Sequence, residues 1–435
     1  MKTSIEVLKM VLLLAAFTGV FPACAADLVI TNAKVYTMSG RGILEHATVV
    51  VKDGHIKAIA DVKSDAAISL ASESGVEVID AGGGSVTPGL INSDTHIGVE
   101  EISAIQETLD FTTLNTRITA ALKVADAFNP ASVLIPQNRI HGLTRALVMP
   151  ESGSSVIAGQ AAVVDLSASP RSVIDDSVAV VANLGEAAVQ LVGGSRAAAM
   201  MLLREVLEDA RDYSAHKQDF NRRQRRAYAL SRLDLEALAE VVRGNKPMIV
   251  RVHRAADIRK VLAFAGQQKI KLVLAGAEEG WMLADTIAAA GVAVIIDPIL
   301  NLPSSYESIG TRADNAALLH RAGVKLLFTG MGWQNTHNAY LVRQSAGNAV
   351  ANGLPKAVAL AAMSANPAAV FSLDDYGVLK AGAPADLVLW DGDPLDVTSE
   401  AQVVLINGER VPLVSRSTRL AQRYYQRLRQ TLGNP

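Results

Sequence analysis

The chain has 435 residues, half of them hydrophobic, with a formal net charge of −2 and a pI near 6.5. That is enough chain for one large domain and a smaller one. The near-neutral balance excludes a nucleic-acid binder that works through a strong positive field. Its two basic runs, Arg222-Arg223-Gln224-Arg225-Arg226 and the tail from Arg416 to Arg429, read as solvated helix faces.

In chain order, Lys2 and Lys9 flank the start of an apolar run, Val11 to Phe21, that is too short to span a bilayer comfortably. Ala23-Cys24-Ala25 then supplies small residues for cleavage. Residues 1–25 are therefore expected to be an export signal. The mature chain would begin at Ala26, reside in the periplasm and have no membrane attachment. A lipidated Cys24 is the weaker alternative, because Phe21-Pro22 is a poor approach to it. Cys24 is the only cysteine, so cleavage would leave no thiol and no disulfide.

Residues 28–38 and 47–60 read as strands, the second broken by the turn signal Lys52-Asp53-Gly54, and Val76 to Val86 is again β-rich. These strands are too few to bury a core alone. Their partners are expected at the other end, in Ala385–Trp390 and in Val403–Ile406 before the turn Asn407-Gly408. Residues 26–87 and 375–415 would then form one composite β domain. Residues 88–374 would form the domain between them, and 416–435 a helical tail. Within 88–374 strands and helices alternate. The strands are 247–253, 272–275, 292–296 and 324–329; the helices are 256–267, 281–290, 314–322 and about 338–371. That alternation predicts a parallel sheet buried on both faces and a β/α barrel, with functional groups at the C-terminal strand ends. The segments 143–149, 161–166 and 178–182 also look strand-like, but they do not complete a clear count of eight.

The chemistry-bearing residues fall at those strand ends. Asp94 and His96 close the segment Pro88-Gly89-Leu90-Ile91-Asn92-Ser93-Asp94-Thr95-His96, and Arg251 and His253 close the strand 247–253. Members of each pair are two residues apart, so they face the same way. Around them lie V-T-P-G-L-I at 86–91, H-R-A-A-D-I at 253–258, N-P-A-A-V-F at 366–371 and G-V-L-K-A-G-A-P-A-D-L-V-L-W-D-G-D-P-L at 377–395. Over nearly the whole mature chain this pattern resembles the amidohydrolase superfamily, in its imidazolonepropionase-like and prolidase-like exported group.

The resemblance implies a (β/α)8 TIM-type barrel flanked by a small β-sandwich domain built from both chain ends. It also implies hydrolysis of a carbon–nitrogen bond in a small amide, cyclic amide or dipeptide, by a divalent metal that activates water. The sequence departs from the family's ligand pattern. Where P-G-x-I-D-x-H-x-H is expected, Asp94 replaces the first histidine and only His96 remains. Arg251 stands at the strand-5 ligand position, beside His253. Gly276 stands at the strand-6 histidine and Met331 at the strand-8 aspartate. The cofactor expectation is accordingly no metal or one ion, zinc by preference, on His96 and His253 with Asp94 as an oxygen ligand.

The other reading makes Asp94 and Arg251 an ion pair that fills the vacated metal volume. For catalysis, Asp94 or a glutamate from Glu100-Glu101 or Glu278-Glu279 would be the base, and Arg251 would stabilise the oxyanion. Asn335 and His337, after the last strand, are candidate substrate contacts, against a helix-capping role for Asn335 or Thr336. His96 has the alternative of a hydrogen-bonded strand-end histidine, and His253 that of packing under Arg254. Glu151-Ser152-Gly153-Ser154-Ser155 reads as a flexible polar loop. Two functions stay open: a hydrolase of a small molecule, or a non-catalytic barrel that binds a small ligand or a protein partner. A homo-oligomer is compatible with both.

Overall fold

The computed structural model describes residues 27–61, 76–300, 302–330 and 332–432. The export signal expected at 1–25, with its cleavage site, and Met331 lie outside them. Strands β1 (Leu28–Tyr36), β2 (Ile43–Lys52), β3 (His55–Asp61), β4 (Glu77–Asp80) and β5 (Ser85–Pro88) come from one end of the chain. Asp53 and Gly54 both take positive φ, 50° and 73°, as a two-residue hairpin turn between β2 and β3 demands. The other end supplies β14 (Leu387–Trp390), β15 (Ala401–Ile406) and β16 (Glu409–Arg410). Asn407-Gly408 makes the same kind of turn between the last two, at 52° and 81°. β14 pairs antiparallel with β5 from Leu387 opposite Pro88 to Trp390 opposite Ser85. The ends thus share one sheet and one core, in which Leu28, Ile30, Val49, Leu387 and Leu405 are buried together.

The second sheet is the barrel. It runs β6 (Leu90–Thr95), β7 (Leu143–Val148), β8 (Ile157–Asp165), β9 (Val173–Asn183), β10 (Met248–Val252), β11 (Leu272–Gly276), β12 (Ala293–Ile296) and β13 (Leu326–Phe328), each beside the next. Alternate residues divide it. Ile91, Leu147, Ile249, Val273, Ile295 and Leu327 fill the inside, while Val250, Leu274 and Val294 pack outward with the helices. The barrel is nearly closed: Thr329 Oγ1, just past β13, donates to the Asp94 carbonyl of β6 at 2.8 Å.

One strand departs from the simple βα repeat. β8 is antiparallel to both β7 and β9. The links 149–156 and 166–172 contain no helix, and without a crossover helix adjacent strands must reverse. This is why the first half of the barrel does not read as alternating strands and helices. The long helix expected over 338–371 is instead Val342–Ala351, Lys356–Ala362 and Ala365–Val370. Gly353, at φ 95°, and Pro355 end the first of these. The run Arg222–Arg226 is a turn rather than a helix face. There Arg226 folds back onto Asp209 and over the Tyr228 ring, 5.2 Å from its centre.

At the N-terminal end of the barrel Arg145 is fully buried and pairs with Asp386, just before β14. Its Nη2 donates to Asn407 Oδ1 at 2.6 Å, and its guanidinium lies 3.6 Å from the centre of the Tyr376 ring. This contact ties the barrel to the composite sheet.

Candidate active site at the barrel mouth

The inward alternation of the strands continues past their C-terminal ends. Ile249 is followed two residues on by Arg251 and then His253, Ile295 by Asp297, and Leu147 by Met149 and then Glu151. Arg251, His253, Asp297 and Glu151 line one cavity of about 460 Å³ together with Asp94, His96, Glu100 and Glu278. Phe111, Thr329 and Asn335 complete its wall.

Asp94 and Arg251 meet directly. Arg251 Nη1 donates to Asp94 Oδ2 at 2.8 Å and Nη2 to Oδ1 at 3.4 Å. Burial opposes the guanidinium charge, but Asp94, Glu151 and Glu278 outweigh it and raise the Arg251 pKa. Asp94 is held from behind: its carbonyl accepts from Asn335 Nδ2 at 2.9 Å and its N–H donates to Asn92 Oδ1 at 3.0 Å.

His253 does not pack under Arg254, which pairs with Asp257. Its Nδ1 instead bonds Glu278. Burial favours the neutral ring, yet Glu278 and Glu307 outweigh it and raise the His253 pKa, while the same contact lowers that of Glu278. Gly276 makes the room. It sits at φ +86°, and a Cβ there would lie 2.4 Å from His253 Nδ1. The space beside Gly276 is occupied by the His253 imidazole.

His96 has a separate environment. Its ring stacks on Phe111 at 3.8 Å, 5° from parallel. Nδ1 is 3.4 Å from Glu100 Oε2 and Nε2 is 3.6 Å from Glu151 Oε1. Among the described residues Nε2 is buried without a hydrogen-bond partner. Burial would raise the Glu100 pKa, but bonds from His96, Ser103 and Thr336 pull it down to about 2, so this carboxylate stays ionised. Asp297 behaves oppositely. Burial raises its pKa, despite N–H donors from Gly332 and Ile299 at 3.0 Å.

The remaining sequence candidates divide. Asn335 lines the cavity while bracing β6. His337 is not in the cavity wall; its Nε2 lies 3.2 Å from the Glu101 carbonyl, so it pins the loop after β6. Neither Asn335 nor Thr336 caps a helix. Thr336 Oγ1 accepts the His96 N–H at 3.2 Å. Glu279 is spent on the N–H groups of Ala255 and Gly310. Asp297 is a site residue that sequence reasoning missed, and Glu151 is one that it left without a role in a polar loop near the mouth. Extending the two-residue inward period beyond Leu147 and Ile295 would have found both.

The family's metal can be tested against these donors. Both Asp94 oxygens face the Arg251 guanidinium, and His253 Nδ1 is taken by Glu278. A permanent cation stands where a divalent ion would share Asp94. Among the described residues no three His, Cys, Asp or Glu side chains gather in a way that could hold an ion. The donor set does not fit a divalent metal. The single ion expected on Asp94, His96 and His253 thus meets two ligands already committed elsewhere.

The sequence model of the amidohydrolase family matches residues 85–414. The chain belongs to the amidohydrolase family. No curated protein is significantly similar to it in sequence. Among solved structures it is similar to an amidohydrolase from Thermotoga maritima MSB8, with 22% identity and a TM-score of 0.77, covering 90% of this chain and 100% of that one. It is similar to molinate hydrolase at 16% identity and a TM-score of 0.54, covering 90% of this chain and 95% of that one. It also resembles an adenosine deaminase from Xanthomonas campestris with bound zinc, at 17% identity and a TM-score of 0.52, covering 94% and 100%. At these identities the likeness is one of fold.

Proposed function

We propose that this chain hydrolyses a carbon–nitrogen bond of a small molecule at the barrel mouth without a resident metal. The observation that carries this reading is the buried Nε2 of His96, which has no hydrogen-bond partner among the described residues, backed through Nδ1 by an ionised Glu100, in a cavity shared with the Arg251 guanidinium. A water in the cavity gives a proton to His96 Nε2 and attacks the amide carbon. The carbonyl electron pair moves to oxygen, and Arg251 stabilises that oxyanion. Collapse expels the amine, which takes the proton back from His96, leaving a carboxylic acid that ionises in solvent. Asp94 is a positioning residue that orients Arg251; its carboxylate is too committed to serve as the base. Export is part of the same proposal, supported by Lys2, Lys9 and the run Val11–Phe21, and N-terminal sequencing of the mature protein tests it.

The test is amine release from a panel of N-acyl amino acids, cyclic amides and dipeptides, by mature protein stripped with chelator. Turnover should survive chelation and fall about 10²–10⁴-fold in His96→Ala, the usual worth of a general base. Activity that disappears with chelator and returns with zinc would overturn the metal-independent mechanism. The second reading, a non-catalytic binding barrel, is favoured by the side chains already engaged at the vacated ligand positions. Ligand binding with no turnover in any panel member would establish it instead.

A further inference from the structure

The helix Arg416–Leu432 stands apart from the rest of the molecule. Ser415 caps it, with Thr418 N–H donating to Ser415 Oγ at 3.3 Å and Ser415 N–H to Thr418 Oγ1 at 2.8 Å. Its first turns rest on the segment Ala131–Pro136. Beyond Leu420 every described residue is exposed. At 17 residues the helix is about 25 Å long.

Its composition is lopsided. Five arginines lie in the helix, and no aspartate or glutamate occurs from Val411 to the last residue given. At 100° per residue, Arg416, Arg419, Arg423 and Arg427 share one side. Leu420, Tyr424 and Leu428 form the neighbouring stripe, flanked by Ala421 and Tyr425. Tyr424, Tyr425 and Leu428 are 56–59% exposed, so among the described residues little covers this apolar face. Arg427 and Arg429 lie 5.9 and 4.6 Å from the ring centres of Tyr424 and Tyr425. The guanidiniums therefore sit along the border of the apolar stripe.

We infer that this helix docks the protein on an anionic phospholipid surface, lying in the interface with the Leu–Tyr stripe inserted and the arginines on lipid phosphates. Charge complementarity selects this occupant. A second copy docked helix to helix would bring five guanidiniums against five, which Coulomb repulsion disfavours. A purely electrostatic partner such as a nucleic acid would leave the apolar stripe in water. A bilayer interface satisfies both sides, since it offers negative headgroups beside acyl chains and suits amphipathic tyrosines. The helix is far too polar to insert across the membrane, and no described helix is long and apolar enough to do so.

The experiment is co-sedimentation of the full mature chain with vesicles of phosphatidylglycerol and phosphatidylcholine, or of phosphatidylcholine alone, across a salt series. Binding should require the anionic lipid and weaken steeply with salt. The double variant Arg423→Gln/Arg427→Gln should bind about thirtyfold more weakly, at the usual worth of a basic residue near such a surface. Leu428→Gln should bind about tenfold more weakly, and a chain ended after Ser415 should not bind, with amide turnover and melting temperature retained in all three. Equal binding to neutral vesicles would overturn the inference, as would binding that survives removal of the helix. Loss with the arginine variant but none with Leu428→Gln points to an electrostatic partner and also overturns it. So does a dimer that dissociates when the helix is removed, with no lipid binding by the intact chain.

Discussion

Two buried arginine–aspartate pairs stand at opposite ends of one barrel. At the N-terminal end Arg145 and Asp386 are sealed, with side-chain exposures of 0% and 3%, and join the barrel to the composite sheet. At the mouth Asp94 is as deeply buried, but the Arg251 side chain keeps 22% of its surface and borders the cavity. The chemistry is the same and the solvent access is not. In the sealed pair Nη1 meets Asp386 and Nη2 meets Asn407, and neither side chain keeps surface for a ligand. The open pair holds a cation in place while leaving part of it free. A guanidinium so placed can meet a developing negative charge, where the sealed one can only hold two domains together.

The widest separation between the two ends should come from breaking the sealed pair. Asp386→Ala leaves Arg145 charged, buried and unpaired. The expected loss is about 3–5 kcal/mol of unfolding free energy, read from the denaturant midpoint. A loss below about 1 kcal/mol would mean that water reaches Arg145, and the contrast between the two ends would disappear. Next in size is the acid limb of the mouth. Glu100 has its folded pKa depressed to about 2, below its ordinary value. Its contribution is therefore fully present above the unfolded pKa and is lost as pH falls from about 4.5 towards 2. Integrated over that window it is at most about 3 kcal/mol. Glu100→Gln should flatten the stability curve there. An unchanged acid limb would show that His96 and Ser103 do not hold the carboxylate.

How much of this was legible in the sequence follows from which rules are local. The two-residue period placed Asp94 with His96, and Arg251 with His253, on the inner face, and the Asp-Gly and Asn-Gly turns marked two hairpins of the composite sheet. That Ala385–Trp390 joins the first strands in one sheet was also readable, since neither end could bury a core alone, but its direct neighbour is β5 rather than either of them. The direction of β8 was not, because a strand's apolar pattern is the same whichever way it runs and only the short helix-free links reveal the reversal. Glu151 and Asp297 were within reach of the period but lay past the apolar runs that define the strands. The partnership of His253 with Glu278 was not readable. It depends on Gly276 lacking a side chain, which the sequence presents only as a missing ligand.

Gly276→Ala tests that last point and ranks third. The residue needs a positive φ, and the new methyl would displace the His253 ring from Glu278. Strain of this kind costs about 1–3 kcal/mol. The His253 pKa, followed by NMR, should fall as its carboxylate partner is lost. A ring that titrates unchanged would show that the glycine serves the backbone alone.

Asp94→Asn should have the smallest effect on stability, about 1–2 kcal/mol, because the partly exposed Arg251 can recover water from the cavity when its partner becomes neutral. The larger effect should be kinetic. An arginine no longer held through two contacts still carries its charge but loses its aim. The turnover number should then drop about tenfold, with little change in KM, as befits an interaction made mainly in the transition state. If Asp94→Asn costs as much stability as Asp386→Ala, the mouth pair is as sealed as the other and Arg251 cannot reach a substrate. If it changes neither stability nor turnover, the pair is a remnant of the vacated ligand positions and the base must work without a guanidinium beside it.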